Sequence, residues 1–142
     1  MMNIYRDFAT HLDQLLGGHS AVRITVSGFM PLSVEEIGVD GEGHRLVSLC
    51  HYGEQNGDLM RDPDIVFMFQ DAPHGSIAEP VSFRNDYLGL DQEVYRYDET
   101  GRRTHLDTKL KQDLKEFAQI WFTNLNGQGF FGDQAVRTIL SS

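Results

Sequence analysis

The stretch HRLVSLCHYGEQNGDLMRDPDIVFMFQ, residues 44–70, decides how the chain is read. Its two ends, HRLVSLCHY (44–52) and DIVFMFQ (64–70), have the length and the β-branched and aromatic content of strands. Residues 64–70 are apolar on both faces of such a strand, which predicts a central position covered on both sides. Residues 53–63 interrupt with glycines, carboxylates and a proline, and Asn56-Gly57 suits a turn that needs positive φ. The segment therefore reads as two neighbouring strands joined by a polar connection.

Toward the N-terminus, DGEG (40–43) marks another hairpin turn and residues 32–39 a preceding strand. GFMP (28–31) separates that strand from one in which Val22, Ile24 and Val26 alternate with Arg23, Thr25 and Ser27. Before it, Asn3 caps a helix with Ile4, Phe8, Leu12, Leu15 and Leu16 on one face, and Gly17-Gly18 stops it. Toward the C-terminus, DAPHG (71–75) leads to a strand at 77–84. Pro80 lacks an amide donor, so this strand is expected at an edge or with a bulge. NDYLGLD (85–91) leads to a sixth strand at 92–97, and DETG (98–101) is a turn.

A long helix follows, with Leu106, Leu110, Leu114, Phe117, Trp121 and Leu125 in one apolar stripe. Thr104 and Asp107 resemble a capping box, Gly127 or Gly129 ends the helix, and Asp133 is expected to cap a short terminal helix carrying Val136, Ile139 and Leu140. The expected class is α+β, one domain over residues 1–142: an antiparallel meander of five or six strands flanked by an N-terminal helix and a long C-terminal helix. In a meander, alternate connections share one end of the sheet. Connections 28–31, 53–63 and 85–91, with the end of the long helix, should therefore converge.

The chain carries 21 acidic and 12 basic residues, a net charge of −9, which disfavours general binding to nucleic acid or to an anionic membrane. A single cysteine, Cys50, allows no internal disulfide and agrees with a reducing cytoplasm. No secretory signal opens the sequence, and the longest strongly apolar run, 65–69, is too short to span a bilayer. The expectation is a cytoplasmic protein.

Residues 51–64 hold four carboxylates, a histidine and an arginine. Glu54, Asn56, Asp58 and Asp62 stand at offsets 1, 3, 5 and 9 of a calcium loop, but offset 12 is Ile65 and the glycine is misplaced. Cys50 and His51 are adjacent on a strand and point to opposite faces, which opposes both zinc chelation and a Cys–His nucleophile. A nuclease core opening on Pro63-Asp64 would need a lysine on the next strand, yet all lysines lie at 109–115. Glycine-rich phosphate loops and nucleophile elbows are missing too. The plainer reading is a turn whose acids accept backbone amides and whose charges are balanced by Arg61 or Arg84.

The phrases GFMPLSVEEIG, CHYGEQNGDLMRDPDIVF, EPVSFRNDYLGLDQEVY and FAQIWFTNLNGQGF together resemble a family of uncharacterised proteins from conjugative plasmids, integrative elements and phages, over residues 28–130. The resemblance implies an accessory role in a mobile element and assigns no catalytic residue. The residues themselves point to a non-enzymatic binding module with a protein partner. Its expected surface comprises Phe29, Met30, Glu54, Asn56, Asp58, Met60, Arg61, Arg84, Asn85, Asp86, Tyr87, Gln92 and Glu93, with no cofactor. The alternative is a hydrolase or nuclease using magnesium or calcium held by Glu54, Asp58 and Asp86.

Overall fold

The computed structural model describes residues 3–142. Asn3 caps helix α1 (Ile4–Leu16), its side-chain oxygen accepting from the Tyr5 amide at 3.0 Å. Gly17, at φ +59°, ends the helix in the left-handed conformation, and its amide returns to the Asp13 carbonyl. Strands β1 (Ala21–Thr25), β2 (Leu32–Val39), β3 (Arg45–Gln55), β4 (Asp58–Ala72), β5 (Gly75–Asn85) and β6 (Leu90–Glu93) follow. The chain then forms β7 (Tyr95–Tyr97), β8 (Arg103–Leu106), helix α2 (Thr108–Gln128) and β9 (Val136–Ser141). The main sheet runs β6-β5-β4-β3-β2-β1-β9, antiparallel throughout, and β7 pairs with β8 in a separate hairpin. The expected α+β meander is present, with seven strands in its sheet.

Both helices pack on the face that carries Phe67, and α2 also reaches a second cluster through Leu110 and Leu114. Phe8 of α1, Phe67 of β4 and Phe122 of α2 meet at ring separations of 5.5–5.8 Å, and all three are buried. Complete burial of such rings is the main source of stability in a domain this size. Met68 points to the opposite side of β4 from Phe67 and Phe69, and there it joins a smaller cluster with Val94, Tyr95 and Leu114. Among the described residues, no helix is long and apolar enough to cross a membrane.

Several expectations need correction. Residues 53–63 are no loop: β3 and β4 continue to Gln55 and Asp58 and turn only at Asn56-Gly57, at φ 53° and 86°. Two successive positive φ values match the right-handed twist of a hairpin, so strand pairing persists to the tip. The sixth strand, expected at 92–97, divides at Val94. That side chain is buried, and its amide bonds to the Val81 carbonyl before the chain leaves the sheet.

Residues 136–141 form a strand, not a helix. Six residues are too few for a stable isolated helix, whereas the open edge of β1 offers a hydrogen-bonding ladder. Thr104 belongs to β8, so Asp107 alone caps α2, accepting from the Leu110 amide at 2.9 Å. Leu106 is consequently exposed outside the helix. Pro80 lies within an interior strand, at a register shift where Val66 faces Ser82 and Phe67 faces Pro80. The bulge satisfies a position that has no amide to donate.

Candidate functional site

The connections at 26–31, 56–57 and 86–89 share one end of the sheet, as the meander requires. The C-terminal end of α2 arrives there too: Phe130 lies 6.2 Å from Phe29 and 5.5 Å from His51 between ring centroids. The β3–β4 hairpin extends beyond its neighbours. β2 pairs with β3 only as far as His51, and β5 pairs with β4 only as far as Asp64. Residues 53–60 therefore pair with each other alone, a two-stranded ribbon of three paired residues in each strand, about 10 Å long, closed by the Asn56-Gly57 turn.

An isolated ribbon of this kind is marginally stable in water. Here the β5–β6 connection braces its base. Asp86 Oδ2 accepts from the Arg61 amide at 2.8 Å and from Arg61 Nε at 3.0 Å, while Oδ1 accepts from Nη2 at 3.1 Å. The Asp86 amide donates back to the Arg61 carbonyl at 2.9 Å. The Arg61 guanidinium and amide hold the Asp86 carboxyl below its ordinary range, and Asp86 raises Arg61 in turn. Asn85 Nδ2 donates to Asp62 at 2.8 Å, and Asn85 Oδ1 accepts from the Leu88 amide at 3.1 Å. Tyr87 lies directly against the backbone of Gly53, in the space that a Cβ would fill.

This framework leaves apolar side chains in solvent. Leu59 and Leu88 are 72% and 68% exposed, and Tyr87, Leu90, Phe29 and Met30 are also exposed. Glu54, Asn56 and Asp58 surround the tip in exposed positions, and Met60 is half-buried. The register opposes Glu54 to Leu59 and Gln55 to Asp58, so Glu54 and Asp58 occupy opposite faces of the ribbon. Both Asp86 oxygens are engaged by Arg61. The described residues contain no group of three His, Cys, Asp or Glu side chains placed to share an ion. Arg84 pairs with Asp91 at 3.2 Å, and Gln92 and Glu93 lie exposed on β6, away from the ribbon's base.

Cys50 and His51 separate as expected. His51 enters the helix-covered face between Trp121 and Phe130, and burial lowers its pKa. Cys50 points the other way and is buried, its thiol pushed up to about 12 chiefly by desolvation.

The register also creates a polar row on the face opposite Phe67: Ser33, Cys50, Asp64, Arg84 and Asp91 stand opposite one another across five strands. Asp64, only 8% exposed, accepts from Ser48 Oγ at 2.6 Å, and burial raises its pKa despite that bond. Tyr52 is pushed up to about 12, again mainly by burial. A thiol and a phenol that hold their protons this firmly are not nucleophiles at neutral pH. The row is not legible in the sequence, because the register of the hairpin tip alone would oppose Cys50 to Pro63, and a register shift after Cys50 brings Asp64 there.

Comparison with known proteins adds one finding. A family model described as a domain of unknown function (DUF6908) matches residues 3–131, which is most of the chain. No curated protein and no solved structure matches it.

Proposed function

The chain belongs to the family of unknown function DUF6908, and for this member we propose a non-enzymatic binding module whose contact surface is the braced β3–β4 ribbon with the β5–β6 connection. One observation carries this reading: the ribbon stands clear of the sheet while Arg61 and Asp86 fix its base. Leu59, Tyr87 and Leu88 are thus held in water on a rigid frame, and apolar anchors already in place lose little conformational entropy when a partner covers them.

The partner is a protein with an apolar cleft and a basic rim. Glu54 stands beside Leu59 on one face of the ribbon and Asp58 on the face where Tyr87 packs against Gly53, and a charge of −9 favours encounter with a positive surface. The phrases in residues 28–130 that resemble proteins of plasmids, integrative elements and phages support an accessory role in such an element. The lone cysteine supports a cytoplasmic setting.

The test is affinity capture with the unaltered chain, with Leu59→Ser/Leu88→Ser, and with Val39→Ser as a control at the opposite end of the sheet. The same captured protein with the unaltered and control chains, lost with the double variant at unchanged melting temperature, supports the proposal. Capture indifferent to the double variant contradicts it.

A further inference from the structure

Strand β9 is docked differently from the rest of the sheet. All six of its residues are exposed, and none belongs to either hydrophobic cluster. It lies beyond the residues matched by the family model. Among the described residues, every fully buried side chain of the core falls between Phe8 and Phe130. Val22 and Ile24 of β1 are buried in the main cluster with Phe8 and Leu12 of α1. β9 therefore contributes no buried apolar side chain of its own, and a segment with so little of its own is among the first to open.

What holds β9 is specific. Arg137 faces Ile24 and Ile139 faces Val22, which puts both on the α1 side of the sheet. The Arg137 guanidinium donates to the Leu15 carbonyl, one of the last acceptors of α1 and the negative end of its dipole. Gly17 makes room for it: a Cβ there would stand 3.1 Å from Nη2. At the far end Ser141 accepts from the Ser20 amide at 3.1 Å, and the two hydroxyls bond at 3.0 Å. A register shift beside Leu140 interrupts the ladder between these two fixed points.

We infer that the β1 edge and the C-terminal turn of α1 form an acceptor for an extended peptide with the pattern Arg-x-apolar, which residues 137–139 fill from within the chain. The occupant in trans is a peptide of that chemistry, adding as a strand. Its main chain supplies the ladder, and its arginine reads the Leu15 carbonyl. A carboxylate at the arginine position meets an acceptor where a donor is needed and is rejected. This surface adjoins α1 and β1 and is independent of the braced ribbon.

The experiment uses the full chain carrying Arg137→Ala, which weakens the internal occupant, and a fluorescent peptide QAVRTILSS followed by anisotropy. The expected result is saturable binding, tighter than to the unaltered chain, and about tenfold weaker when the peptide arginine is replaced by alanine. No saturable binding, or equal binding of the two peptides, overturns the inference. Hydrogen exchange on the unaltered chain is an independent reading: amides of β9 should exchange well before those of β3 and β4. Equal protection in β9 and β3 overturns it as well.

Discussion

Arg61 and Asp86 exchange four hydrogen bonds, two through the guanidinium and two through backbone amides, across 25 residues of sequence. The pair ties a protruding ribbon to the neighbouring connection. It does for the ribbon what an adjacent strand does for the rest of β4.

Replacing Asp86 by Asn should cost about 1 kcal/mol at neutral pH, a modest figure because both partners are partly solvent-exposed and screened. The folded-state pKa of Asp86 is depressed, so its stabilisation is present above the ordinary carboxylate range and is lost as pH falls through the folded value. Urea titrations of both proteins at stepped pH should converge in acid.

Asp64 should behave with the opposite sign. Burial raises its folded-state pKa, so the penalty of ionising it grows as pH rises from the ordinary carboxylate range through the folded value. Asp64→Asn keeps an acceptor for Ser48 and removes the charge. Its melting temperature relative to the unaltered chain should rise from about pH 4 to about pH 7.

Gly53→Ala should displace Tyr87, since the new methyl group takes the position that the phenol now fills, with ring carbons at 3.3 Å. The phenol is the free end of an exposed side chain, so the cost is local. Tyr87→Phe removes the closest atom and should recover part of that loss. A double-mutant cycle in denaturant, with a favourable coupling between the two changes, checks it.

Cys50 should resist a water-soluble thiol reagent in the folded protein and react fully in denaturant. It is 1% exposed, and its thiol titrates at about 12. Reaction at equal rates in both conditions would show that the face carrying Cys50 opens readily.

Much of this architecture is legible in the sequence, because period-two alternation and the turn residues at 40–43, 56–57 and 98–101 are local signals. The convergence of residues near 29, 56 and 87 follows from meander topology alone. What is not legible depends on register. The opposition of Cys50 to Asp64 requires the shift before Tyr52, and nothing local to Arg61 singles out Asp86 over Asp91 as its partner. The strand at 136–141 was hidden for another reason: its apolar spacing fits a helical turn equally well, and only the unfilled edge of β1 decides between them. The division of the sixth strand at Val94 likewise depends on a pocket built by Met68 and Leu114, far away in sequence.

The central claim is that the braced ribbon is the binding surface, and the most direct measurement uses the partner recovered by capture. Its purified form is titrated against the unaltered chain, Leu59→Ser/Leu88→Ser, Asp86→Asn and the Val39→Ser control. The expected result is unchanged affinity for the control, a loss of at least about tenfold for the double variant, and a smaller loss for Asp86→Asn, where the anchors remain and only their frame loosens. Equal affinities across all four chains would contradict it.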